Sequence, residues 1–203
     1  MDGLFLVVGL GNPGDRYTGT RHNVGFDVVE AFARKAVGGP PRLDRLDCRA
    51  LTGRVKVGDR TVLVARPQTY MNASGESVKG LLAKYEVPLE SLVVVSDEVA
   101  LPVGALRFRR SGSSGGQKGL QSIIDGLGTT EFPRLRLGVR GEHFEPTEAK
   151  DDYILSRFSK KERPAVDEAI ATACEALETF VTDGIDAAMN RFNRSPEESS
   201  PAS

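Results

Sequence analysis

The run Leu4-Phe5-Leu6-Val7-Val8 is apolar at every position and stops at Gly9. A strand without polar alternation needs both faces covered, which points to a sheet layered by helices. The chain then turns through GLGNPGDRYTGTRHN, Gly9 to Asn23. That turn leaves the carboxyl end of a buried strand, where open α/β sheets place their sites. A histidine held close to it, His22, is suited to proton transfer near neutral pH.

Gly9, Gly11 and Gly14 match the spacing GxGxxG of a dinucleotide-binding turn. The surrounding residues do not. Pro13 removes a backbone N–H from the phosphate cradle, and Asp15 places a negative charge where a pyrophosphate would lie. After Gly14 the sequence DRYTGTRHN reads as loop where that motif needs an immediate helix. No second strand ends in an acid about 20 residues on. Glu30 falls instead within a helical pattern.

The remaining pattern alternates strands and helices. Val24 to Val37 carries Val24, Val28, Val29, Phe32, Ala33 and Ala36 at helical spacing and is closed by Gly38-Gly39-Pro40-Pro41. Cys48 to Val57 and Arg60 to Arg66 read as an antiparallel hairpin turning at Gly58-Asp59, so the sheet is mixed. A helix over Ser74 to Tyr85 follows, then a buried strand over Leu92 to Val95 and another strand over Ala105 to Arg109. Gly119 to Leu127 reads as a helix and Arg134 to Val139 as a strand. Ser159 and Glu162 form a capping-box signal before an amphipathic helix running through Val181, and Ile185 to Phe192 is a shorter one. The expectation is one α/β domain over residues 1–193, with a polar tail, RSPEESSPAS, over 194–203.

At 203 residues, 39% hydrophobic and 27% charged, the chain suits a domain with a sizeable core and contains no apolar stretch long enough for a membrane helix. An apolar N-terminal run without a basic region before it reads as a strand and not a signal peptide, so a cytoplasmic location is expected. Cys48 and Cys174 have no CxxC or Cys/His spacing, and both read as reduced thiols. No metal site can be argued. Net charge is −1, but seven basic residues stand against two acids between Gly104 and Arg140. Arg107 and Arg109 alternate with Leu106 and Phe108, and Arg134 and Arg136 with Leu135 and Leu137. Each pair therefore shares a face, either simply solvated or able to meet phosphates.

Three more segments carry possible chemistry. PQTYMNASG, Pro67 to Gly75, joins a strand to a helix and puts Asn72 where its amide can project into a cleft or cap the helix. VVVSDE, Val93 to Glu98, ends a buried strand in two acids, one of which can orient an imidazole. SGSSGGQKG, Ser111 to Gly119, is a glycine-rich loop whose N–H groups and Lys118 can meet phosphate or backbone.

The segments VGLGNPGDRYTGTRHNVG, RPQTYMNASGESV, VVVSDEVALPVGALRFR and SGGQKGLQSI, in this order, resemble the bacterial-type peptidyl-tRNA hydrolases from about Leu4 to Phe192. The resemblance implies a single α/β domain with a twisted mixed sheet surrounded by helices. It implies hydrolysis of the ester between a peptide and tRNA, recycling tRNA from aborted translation. By the same resemblance His22 is the catalytic histidine and Asp97 its acid partner. Asn12 and Asn72 hold the peptide part of the substrate, and Tyr17 lies near its tRNA end. Arg107 and Arg109 fall where the family meets tRNA phosphate, with Arg134 or Arg136 adding to this. Water polarised by neutral His22 can attack the ester while Asp97 stabilises the imidazolium, so no metal or cofactor is expected. Asn72 is the expected donor to the developing oxyanion, and Asn12 a substrate clamp. The expected partner is tRNA, bound by a monomer.

This chain departs from the family pattern at Gln117-Lys118, where His-Asn is common, and at Ser96 and Ala100, where histidine and aspartate are frequent. Loss of the asparagine bears on substrate positioning, and Lys118 is then a candidate substrate contact. The second function class is an RNA-binding protein on the same scaffold that has shed turnover, as relatives acting in organelle RNA splicing have done. Retained His22 and Asp97 disfavour it.

Overall fold

The computed structural model describes residues 3–142, 144 and 150–193. The expected tail over 194–203 and His143 lie outside the described residues. Seven strands form one mixed sheet in the order β2-β3-β4-β1-β5-β7-β6. They are β1 (Phe5–Gly9), β2 (Arg45–Asp47), β3 (Ala50–Val57), β4 (Arg60–Pro67), β5 (Leu92–Pro102), β6 (Leu106–Arg109) and β7 (Arg134–Arg140). The four inner strands β4, β1, β5 and β7 run parallel, and antiparallel strands complete both edges.

The apolar run of β1 is central, as its composition requires. Val7 packs on one face with α1 (Val24–Val37), α5 (Arg163–Asp183) and α6 (Ile185–Phe192). Leu6 and Val8 pack on the other with α2 (Ser74–Tyr85) and α3 (Lys118–Leu127). The capping box forms: Ser159 N–H donates to Glu162 Oε2 at 2.8 Å and Glu162 N–H to Ser159 Oγ at 3.2 Å.

Three elements differ from the pattern reading. The strand expected over Cys48 to Val57 begins at Ala50, because Cys48 and Arg49 turn the chain with φ of 45° and 59°, and an additional short strand, β2, precedes that turn and pairs with β3. The strand expected over Leu92 to Val95 continues to Pro102, with a register irregularity between Glu98 and Pro102. A short helix, α4 (Lys150–Ile154), lies in a segment to which the pattern assigns no element. At the sheet edge, Asn193 imitates a neighbouring strand: its amide accepts from Phe108 N–H at 2.7 Å and donates to Phe108 C=O at 2.9 Å. This occupies backbone groups that an exposed edge would offer to another chain.

Candidate active site

β1 ends at Gly9 beside Val95, while β5 continues, so Asp97 lies just past the end of the central strand. The glycine turn brings α1 back across the same end. A Cβ on Gly9 would stand 2.2 Å from Gly25 O, and one on Gly25 would stand 2.5 Å from Leu10 O. Strand and helix backbones thus touch, and a one-turn 3₁₀ helix, Arg21–Asn23, delivers His22 above the sheet. A Cβ on Gly11 would meet the Phe26 ring at 2.8 Å. The first two glycines of the GxGxxG spacing are therefore there for close packing, and Gly14, at φ 103°, for its backbone conformation.

Both neighbours of His22 anchor this turn. Asn23 accepts from Asn12 N–H and donates to Asn12 C=O, each at 2.9 Å, stitching the glycine turn to the start of α1. Arg21 is buried, donating to Val139 C=O at 2.9 Å and pairing with Glu162 at 2.9 Å between the rings of Tyr153 and Phe158. Burial pushes the Glu162 carboxyl up, but hydrogen bonds from Ser159 and Arg21 outweigh it and hold the group below the ordinary glutamate range.

His22 and Asp97 are 4% and 5% exposed, with Nδ1 and Oδ1 2.9 Å apart. An ionised carboxylate only accepts, so Nδ1 carries the proton and the Nε2 lone pair is left for chemistry. Asp97 Oδ1 also accepts from Gln117 Nε2 at 3.0 Å. His22 lines two adjoining cavities. One is shared with Asp97, Glu98, Gln117 and Lys118. The other, of about 230 Å³, is shared with Asn12, Tyr70, Met71, Asn72 and Leu155. Asn12 Oδ1 accepts from Met71 N–H at 2.8 Å, which fixes the amide oxygen on that side of the cleft that Asn12 lines. Asn72 is exposed on the rim, in the turn Met71–Ala73 that starts α2. Lys118 lines both cavities and pairs with Asp151 of α4 at 2.6 Å.

The expected residues His22, Asp97, Asn12, Asn72 and Lys118 are thus brought together. Tyr17 is not among the residues lining either cavity; it is half-buried in the preceding turn under the Arg16 guanidinium. The phosphate role expected of Arg134 is corrected. Its side chain is fully buried, and its guanidinium donates to C=O groups of Gly112, Ser113, Thr130 and Phe132. Burial lowers its pKa to about 10. Arg136 is committed as well, to Glu98 at 2.8 Å and Ser113 C=O at 2.6 Å. Both arginines hold the glycine-rich loop; Arg134 is wholly enclosed, whereas Arg136 is half-buried with its guanidinium engaged by Glu98 and the loop. Arg109 is exposed on the edge strand β6, and Arg107 is half-buried beside Arg136. Asn23 and Arg21 act in the site without having been singled out from sequence, and Gln117 stands out there only as a departure from the family pattern, with no role attached to it. Gln117 had one local signal, its place just before a helical pattern.

A mixed sheet with an imidazole–carboxylate pair at its carboxyl edge is the framework of an α/β hydrolytic enzyme. The family model described as peptidyl-tRNA hydrolase matches residues 6–200, and the chain belongs to that family. It is 42% identical to a peptidyl-tRNA hydrolase of Alkaliphilus metalliredigens over 190 residues, 94% of this chain and 100% of the relative. It is 43% identical to one of Lachnoclostridium phytofermentans over 191 residues, 94% of this chain and 97% of the relative. Among solved structures, peptidyl-tRNA hydrolase of Acinetobacter baumannii superposes with a TM-score of 0.85 at 32% identity, covering 95% of this chain and 96% of that one. A peptidyl-tRNA hydrolase in complex with N-propanol superposes at 0.86 with 31% identity, covering 100% and 98%.

Proposed function

We propose that the protein hydrolyses the ester linking peptide to tRNA in peptidyl-tRNA, with His22 as general base. The observation that carries this is the buried His22–Asp97 pair, 2.9 Å apart, opening on a cleft that Asn12 and Asn72 also line. His22 Nε2 takes a proton from water as the water oxygen attacks the ester carbonyl. Asp97 accepts from Nδ1–H throughout and stabilises the imidazolium. Collapse of the tetrahedral intermediate breaks the bond to the ribose oxygen, which takes the proton back from Nε2. Free peptide and tRNA result.

Oxyanion stabilisation is strongest from donors held in place beforehand. Met71 N–H holds the Asn12 amide in one orientation, whereas Asn72 stands exposed on the rim. We therefore assign the oxyanion contact to Asn12 and a substrate contact on the rim to Asn72, the reverse of the reading from sequence. Lys118 sits at the mouth, and releasing it from Asp151 frees an ammonium for the substrate. Tyr17 keeps a place toward the tRNA side of the turn. The reading carries with it a monomer acting in the cytoplasm, consistent with free thiols at Cys48 and Cys174.

The test is release of labelled N-acetyl-amino acid from N-acetyl-aminoacyl-tRNA, with unblocked aminoacyl-tRNA as comparison. Turnover of the blocked ester and little of the unblocked one is expected, because a charged amine meets a site built for a neutral amide. No turnover with tRNA still bound would make the protein an RNA-binding relative.

With Arg134 and Arg136 committed to the loop, phosphate contact rests on Arg107 and Arg109 of β6. Each single alanine substitution is expected to weaken tRNA binding and to reduce the slope of log affinity against log salt by about one. An unchanged slope in both variants would move the tRNA path off this strand.

A further inference from the structure

We propose that Gln117 is a positioning residue for the reaction, holding Asp97 so that His22 keeps both its orientation and its tautomer; this rests on the hydrolytic role of His22 given above. Gln117 is 8% exposed and caps α3, its Oε1 accepting from Leu120 N–H at 2.8 Å. A backbone N–H can only donate, so the amide oxygen is fixed on that side. The NH₂ group is then forced toward Asp97 Oδ1 at 3.0 Å and Met71 Sδ at 3.4 Å. An amide turned the other way would break the cap and face a carboxylate with an oxygen. Fixed acceptors and donors on both sides thus settle an orientation that is otherwise a matter of assignment.

Asp97 Oδ1 receives two donors, His22 Nδ1–H from α1's side of the sheet and Gln117 Nε2–H from α3's side. Two consequences follow. The carboxylate cannot rotate away from His22 without losing the Gln117 bond. Part of its charge is also spent on a neutral donor, which limits how strongly it favours the imidazolium. An amide does not titrate, so both effects persist across the whole pH range in which His22 exchanges protons. Gln117 touches no reacting atom and works entirely through Asp97.

Gln117→Met keeps the length of the side chain and removes donor and acceptor. Its kcat on N-acetyl-aminoacyl-tRNA is expected to fall about tenfold with KM little changed, the loss of an interaction used in the transition state. The acidic limb of its kcat–pH profile is expected to move to higher pH, because Asp97 then presents more of its charge to the imidazolium. In an Asp97→Asn background the same substitution is expected to add nothing, which marks action through Asp97.

A second reading does not depend on turnover. The chain has two histidines, so an NMR titration of ring-labelled protein follows His22 against His143 as reference. The His22 titration is expected to move in the same direction as the kinetic limb. Gln117→Ser can still cap α3 by accepting from Leu120 N–H but is too short to reach Asp97, so it supplies a folded variant should Gln117→Met lose α3; it is expected to keep Tm close to wild type and still lose kcat. An unmoved His22 titration and kinetic limb in Gln117→Met, with Tm lowered, would reduce Gln117 to a helix cap and overturn the proposal. Wild-type protein without esterase turnover would defeat the functional reading instead, while the His22 titration would still decide the role of Gln117.

Discussion

Replacement of His22 by alanine is expected to lower turnover of N-acetyl-aminoacyl-tRNA by about 10²–10⁴-fold, the usual contribution of a positioned general base, with tRNA affinity nearly unchanged. The separation follows from the geometry. The imidazole is buried at the end of β1, whereas Arg107 and Arg109, assigned to phosphate, stand on the far edge strand β6. The variant is also expected to fold. Asp97 keeps the Gln117 amide as a donor, so its charge is not stranded, and the turn carrying residue 22 stays held by Arg21 and Asn23. Single-turnover release of the labelled amino acid, with filter binding of deacylated tRNA on the same preparations, checks both halves. Near-normal release would take His22 out of the mechanism, and parallel losses of release and binding would indicate a damaged fold.

Much of this architecture is legible before any coordinates. The unbroken apolar run of β1 demands a layered α/β sheet, and 3.6-residue spacing marks the helices that cover it. The misreadings share a cause: a local pattern tells which residues share a face but not what covers that face. Arg134 and Arg136 alternate with leucines as solvated residues do. The loop after β6 folds over them, and its carbonyls take their guanidinium groups. The Cys48-Arg49 turn carries none of the glycine or asparagine that positive φ favours, so it reads as the start of β3 and leaves β2 before it unmarked. His22 and Asp97 were visible through the motifs around them. Gln117 stood in the sequence as a departure from a family pattern, and its bond to Asp97 depends on α3 starting beside the end of β5, a tertiary fact no local spacing encodes.

The glycine spacing that imitates a nucleotide motif has a structural explanation that can be tested. Gly9→Ala would place a methyl carbon 2.2 Å from Gly25 O and 2.7 Å from Val29 Cγ2. Backbone on the far side cannot swing away as a flexible side chain can, so α1 must move outward along its first turn. Overpacking of this kind costs about 3 kcal/mol, which lowers Tm by about 6–12 °C for a chain of this size. The displaced turn carries His22, and the Asn12–Asn23 bonds that tie it to the glycine loop span the same gap. Turnover is therefore expected to fall well below the fraction still folded at the assay temperature, as the His22–Asp97 distance opens. Thermal melting and activity measured well under the lowered Tm separate the two effects. A Gly9→Ala protein with wild-type Tm would show that strand and helix do not touch here, and the glycines would then need another reason. A lowered Tm with full activity below it would show that His22 is held by Arg21 and Asn23 independently of the helix behind it.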